Sequence, residues 1–142
     1  MDPKKSTMEK LEKIIFIKIK KIKNCKGNLY KIINKLSPYY RGIGEVYLSE
    51  IKKNIIKGWN LHKKNYSVIF LVQGSIIFYY KYKSSDKYKK KIIKFDDYKL
   101  ILIPPNFRYA FKGLDKKNSL INFMDKIYNP NESFKENFSK NQ

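Results

Sequence analysis

The chain has 142 residues and a mass of 17.0 kDa, which suits one domain around one hydrophobic core. Aromatic residues make up 15%, which excludes a disordered chain, and the single cysteine, Cys25, excludes an intrachain disulfide. Lys plus Arg is 32 against 12 Asp plus Glu, a net charge of +20 that would attract an anionic substrate. Only two of the basic residues are arginines, Arg41 and Arg108. Nucleic-acid interfaces lean on arginine for bidentate contacts, so nucleic acid is set aside as a partner despite the charge.

Residues 1–13 are polar and read as a leader. They lack the apolar core of a signal peptide, and no stretch is long enough to span a bilayer. A cytoplasmic location with no membrane partner is the expectation. From Ile14 to Ile22 the pattern is β-like, and Asn24 to Gly27 signals a turn. Leu29 to Ile33 reads as a strand, Glu45 to Ile51 as another, and Ile55-Ile56-Lys57-Gly58-Trp59 opens the next. Val68 to Val72 and Ile76 to Tyr80 flank Gln73-Gly74-Ser75, the pattern of a hairpin. Lys81 to Lys91 reads as a charged loop. Leu100 to Ile103 is a buried strand stopped by Pro104-Pro105, and Leu120 to Met124 is the last strand. Residues 129–142 read as a polar tail, leaving 14–128 as a single all-β domain, a barrel or sandwich.

Two segments give the class more detail. Lys57-Gly58-Trp59-Asn60-Leu61-His62, followed by Gly74, resembles the first cupin motif. Asn60 and His62 fall on its two histidines, Ser67 on its glutamate and Gly74 on its closing glycine. Pro104, Asn106, Tyr109 and Gly113 fall on the proline, glycine, histidine and asparagine of the second motif. The resemblance implies a cupin, a double-stranded β-helix jelly-roll barrel. Within cupins the chain resembles the dTDP-4-dehydrorhamnose 3,5-epimerases and the related sugar 3,4-ketoisomerases. Glu45 to Gly58 lines up without gaps with the segment leading to the epimerases' R-G-L-H. Lys26 to Ile32 is similar to their R-G-x-F-x-R strand, and Tyr128-Asn129-Pro130 with Glu132 to their Y-x-P-x-x-E segment.

The resemblance implies an enzyme that moves a proton next to the ketone of a nucleotide-linked 4-keto-6-deoxyhexose, in surface-polysaccharide biosynthesis, as an epimerase or a ketoisomerase. It places Asn60, His62 and Tyr128 at catalytic positions. Lys31, Glu45, Tyr47, Lys57 and Tyr109 fall at substrate-binding positions. It also implies a homodimer whose exchanged amino-terminal strand would carry Lys31 to the partner's pocket. Asn60 stands where the base should be, and an amide cannot take up a proton at neutral pH. His62, two residues on, faces the same way on a strand and matches the second histidine of the ketoisomerases' R-G-x-H-A-H. The alternative is a degenerate cupin that binds a nucleotide sugar or carbohydrate without turnover. With His62 as the one histidine of the chain, no metal site and no cofactor are expected. Trp59 alternates outward and reads as a packing or interface residue.

Overall fold

Runs of β-branched and aromatic residues set the architecture, because such side chains pack well on a pleated, half-buried surface. The computed structural model describes residues 13–82 and 85–137, so most of the leader and the last five residues lie outside the described part. The strands are β1 (Ile15–Lys18), β2 (Lys20–Ile22), β3 (Leu29–Lys31), β4 (Glu45–Glu50), β5 (Ile56–His62) and β6 (Ser67–Gln73). They continue with β7 (Ser75–Tyr82), β8 (Lys89–Lys94), β9 (Lys99–Ile103), β10 (Phe107–Gly113), β11 (Ser119–Met124) and β12 (Ser133–Lys135). One helical turn, Phe95–Asp97, occurs among the described residues.

Two five-stranded antiparallel sheets face each other, in the orders β1-β9-β6-β11-β4 and β12-β5-β10-β7-β8. This is the all-β jelly roll that the strand spacing and the motif order implied. Ile69, Leu71, Ile101 and Ile103 of the first sheet pack between the layers with Ile76, Phe78, Tyr109 and Phe111 of the second. Each such aliphatic or aromatic side chain stabilises the fold by about 1.5–3 kcal/mol when buried. A second apolar layer covers the outside of the first sheet. There Val68, Phe70, Leu100 and Leu102 pack against Tyr30, Ile32, Ile33 and Tyr39.

That second layer corrects the hairpin expected around Gly74. β6 and β7 are consecutive but lie in different sheets, β6 paired with β9 and β11, β7 with β8 and β10. β6 is buried on both faces, so it reads as an unbroken apolar run with no alternation to reveal its pairing. Gly74 turns the chain between layers at φ +83°, and a β-carbon there would collide with the Lys117 carbonyl and the Asn118 side chain. Asn118, 1% exposed, secures the corner: its Oδ1 accepts from the amides of Ser75 and Asp115, and its Nδ2 donates to the carbonyls of Ile51 and Asp115.

β7 forms its hairpin with β8 instead, across the stretch expected to be a charged loop; Tyr80 faces Lys89 and Phe78 faces Lys91. Lysines are tolerated in this ladder because their stems cover apolar surface while the ammonium heads stay hydrated. The Lys91 ammonium sits 4.1 Å from the Phe16 ring centre. A second difference concerns the segment beyond residue 128. β12 lies within the expected tail and pairs with the edge of β5, Ser133 opposite His62 and Lys135 opposite Asn60. Trp59 and Glu136 continue that pairing through two backbone hydrogen bonds.

Candidate functional site

The site begins with a bulge in β5. Tyr109 of β10 faces Asn60, whereas Phe111 faces Lys57, so two steps on β10 span three on β5. The extra residue breaks the period-two alternation. Lys57 therefore lines the same cavity as Asn60 and His62, although it is an odd number of residues from both. Gly58 makes the bulge possible. Its φ is +138°, and a β-carbon would lie 2.5 Å from the Ala110 β-carbon. Trp59 turns to the outer face, 1% exposed, against Tyr79, Ala110 and Tyr88, with the Lys81 ammonium 4.9 Å from its ring centre. It packs there, as its alternation suggested.

Between the two sheets lies a cavity of about 320 Å³, within the range of small-molecule sites. Glu45, Tyr47 and Ser49 of β4 and Leu120 and Asn122 of β11 form one wall. Lys57, Asn60 and His62 of β5 and Tyr109 and Phe111 of β10 form the other, and Tyr128 and Lys135 complete the lining. Lys57 reaches from β5 to β4, donating from Nζ to the Ser49 hydroxyl at 2.8 Å and to the Glu50 carbonyl at 3.1 Å.

His62 is 8% exposed and held at both ring nitrogens. Nδ1 lies 2.7 Å from the Ser133 hydroxyl and Nε2 lies 3.0 Å from the Tyr109 hydroxyl. A hydroxyl donates or accepts, so either neutral tautomer is satisfied. Burial lowers the imidazole pKa from its ordinary 6.5, which keeps the ring neutral at pH 7. Burial also drives the Tyr109 phenol far up, so it stays protonated. On the opposite wall Asn122 donates from Nδ2 to the Tyr47 hydroxyl at 2.8 Å. Asn122 Oδ1 and Ser67 Oγ are buried in the same region without a hydrogen-bond partner. Unpaired buried polar atoms are costly unless a ligand or a water completes them.

Of the residues singled out from the sequence, Asn60, His62, Tyr128, Glu45, Tyr47, Lys57 and Tyr109 all line this cavity. Lys31 does not. It lies exposed on β3 opposite Lys20, outside the cavity lining. Sequence reasoning missed Asn122, Ser133 and Lys135. Asn122 carried a signal, a lone polar residue at an inward position of the apolar run Leu120-Ile121-Asn122-Phe123-Met124. Ser133 and Lys135 carried none, because they belong to a strand hidden in a polar tail. The cupin metal positions hold Asn60, His62, Ser67 and Tyr109, a set with one strong ligand, and no cluster of three or more His, Cys, Asp or Glu gathers among the described residues.

No family model matches the sequence, and no curated protein matches it either. Solved structures do match. A dTDP-sugar isomerase from Desulfovibrio desulfuricans G20 superposes with a TM-score of 0.80 at 22% identity, over 89% of this chain and 85% of that one. The 3,4-ketoisomerase of Thermoanaerobacterium thermosaccharolyticum, a histidine-to-asparagine variant in complex with TDP-4-keto-6-deoxyglucose, gives 0.76 at 24% identity, over 89% of each chain. The dTDP-4-dehydrorhamnose 3,5-epimerase of Bacillus anthracis, with TDP and pyrophosphate bound, gives 0.77 at 16% identity, over 86% and 77%. The chain has the cupin fold of these enzymes. In this cupin the interlayer cavity has one imidazole, the buried Tyr109 and Asn122, the half-buried Asn60, the more exposed Tyr47 and two lysines, Lys57 and Lys135. That set can hold an anionic, hydroxyl-rich ligand and accept a proton from it.

Proposed function

We propose that this cupin acts on a nucleotide-linked 4-keto-6-deoxy sugar, moving a proton at a carbon beside the ketone, as an epimerase or ketoisomerase of surface-polysaccharide synthesis in the cytoplasm. The observation that carries the reading is the convergence of Asn60, His62, Tyr109 and Tyr128 on one cavity that also holds Glu45, Tyr47 and Lys57. Neutral His62 is the base, taking the proton once the substrate displaces the hydroxyl of Tyr109 or Ser133 from the ring. Tyr128, 45% exposed, is the acid that returns a proton. Lys57 and Lys135 neutralise the diphosphate as point charges. In a homodimer with exchanged amino-terminal strands, Lys31 of a second copy joins them.

Purified protein in D2O with dTDP-4-keto-6-deoxyglucose should take up deuterium beside the ketone by proton NMR, and His62→Ala should abolish the exchange. No uptake with this or any other 4-keto nucleotide sugar would sink the enzymatic reading. One specific observation favours a second reading, binding without turnover. Asparagine occupies the expected base position, and both nitrogens of His62 are already engaged. Calorimetry showing tight binding of the same sugar without exchange would select it.

A further inference from the structure

Tyr47 and Asn122 meet on the wall opposite His62. Asn122 is 2% exposed, and its Nδ2 donates to the Tyr47 hydroxyl at 2.8 Å. An amide nitrogen has hydrogens to give and no lone pair to offer. The phenol oxygen is therefore the acceptor in this contact, and its own proton turns elsewhere. Among the described residues no hydrogen bond takes that proton, and both side chains line the cavity. The Tyr47 hydroxyl is thus a donor left available to whatever fills the pocket. Burial pushes its pKa up, outweighing the Asn122 hydrogen bond, and the nearby Glu45 and Tyr128 push the same way. The phenol keeps its proton across neutral pH.

We propose that Asn122 orients Tyr47 as the hydrogen-bond donor to the ketone oxygen of the bound sugar. This rests on the keto-sugar reading above. His62 and Tyr47 stand on facing sheets, β5 and β4, so a ring between them presents one face to the base and its carbonyl to the phenol. When His62 takes the proton, the C–H electron pair becomes the second bond between the two carbons. The carbonyl π pair moves onto oxygen, where the Tyr47 O–H stabilises it. Return of a proton to carbon reverses the flow, and no oxidant or reductant is consumed. A preorganised donor aimed at a developing oxyanion is worth on the order of 10²–10³ in rate. Tyr47 is the catalytic residue of the pair and Asn122 a positioning residue.

The test is a double-mutant cycle on deuterium exchange, with folding of each variant checked by chemical denaturation. Tyr47→Phe should lower kcat roughly a hundredfold with KM shifted only a few-fold. Asn122→Ala should lower kcat by less, about tenfold, because the phenol remains but is no longer held. The double variant should be no slower than Tyr47→Phe alone, the mark of a residue whose effect on the rate runs through Tyr47. Wild-type kcat in Tyr47→Phe, or losses that multiply in the double variant, would overturn the assignment while leaving the enzymatic reading in place. If the wild-type protein itself exchanges nothing, the enzymatic reading fails and calorimetry decides the Tyr47 assignment. Tyr47→Phe should then weaken the 4-keto sugar by up to about tenfold and leave bare dTDP unchanged. Equal effects on both ligands, or none, overturn it, and absence of binding by either ligand overturns both proposals.

Discussion

The Nε2 of His62 and the hydroxyl of Tyr109 lie 3.0 Å apart across the β5–β10 ladder, joining the chain's one imidazole to a phenol that burial keeps protonated. A second hydroxyl, Ser133, holds the other nitrogen at 2.7 Å. The ring is therefore positioned by three strands at once, and its protonation links the pocket to the stability of the fold.

The linkage has a definite sign. In the unfolded chain His62 titrates near its ordinary 6.5; in the folded chain burial holds the pKa lower. As pH falls below 6.5 the unfolded chain binds the proton first. The stability from burying a neutral ring is thus full above about pH 6.5 and is lost as pH falls toward the lower folded value. Urea denaturation at pH 7.5 and pH 5.5 should show wild type losing more stability on acidification than His62→Gln. Equal losses would mean that His62 titrates normally in the folded protein. As a base, the same ring should sustain deuterium exchange below pH 6.5, because its acceptor form persists there.

Asn60 offers the complementary test. It lines the cavity opposite Tyr109 in the ladder, two residues before His62 and on the same face. Asn60→His would place a second imidazole at the base position that the epimerase resemblance implies. Deuterium exchange should rise by at least about tenfold, a conservative floor against the roughly 10²–10⁴-fold that a positioned general base contributes. An unchanged rate in a variant that still binds the sugar would show that the pocket lacks something other than a base at residue 60.

How much of this was legible beforehand depends on which physical signal each segment carries. The all-β class and most strands were readable because runs such as Val46-Tyr47-Leu48 and Leu100-Ile101-Leu102 are β-branched, aromatic or aliphatic and bounded by turns. The pairing of β6 was not, because burial on both faces erases the alternation that reveals a register. β8 was hidden by its lysines, whose heads reach water while their backbone completes a ladder. Within the site, the order Gly58, Asn60, His62, Tyr109, Tyr128 placed the pocket through motif spacing. No local pattern marked Ser133 or Lys135, since a three-residue edge strand gains its stability from β5 and not from its own sequence.

The β12 contact yields a third prediction. Ser133 is the hydroxyl partner of Nδ1, and the strand that carries it seals the edge of β5 over Leu61 and Trp59. Ser133→Ala should cost about 1 kcal/mol, the net worth of one hydrogen bond with a partner left partly buried. Truncation after Asn131 should cost more, because it strips the edge of its ladder and uncovers Leu61, which is 7% exposed in the folded chain. Thermal melts of the two variants order these effects. A truncated protein as stable as wild type would show that β12 contributes nothing to the domain.

The last prediction concerns the bulge that brings Lys57 into the pocket. Gly58→Ala asks an L-residue to hold φ +138° and sets a methyl 2.5 Å from the Ala110 side chain and 2.8 Å from the Tyr109 carbonyl. The obstacle is backbone and a β-carbon, neither of which can rotate away. Backbone strain of this kind costs on the order of 1–3 kcal/mol, and the clash adds to it. Sliding β5 against β10 and removing the bulge would relieve it. Removal restores period-two alternation, so Lys57 leaves the cavity while Asn60 and His62 stay. Gly58→Ala should therefore lower the melting temperature and, where the variant still folds, weaken binding of a nucleotide diphosphate more than that of a neutral sugar. Lys57→Met should reproduce the binding loss with a far smaller loss of stability, since it removes the charge and keeps the bulge. Equal melting temperatures for Gly58→Ala and wild type would show that the close approach of β5 and β10 is not needed for the fold.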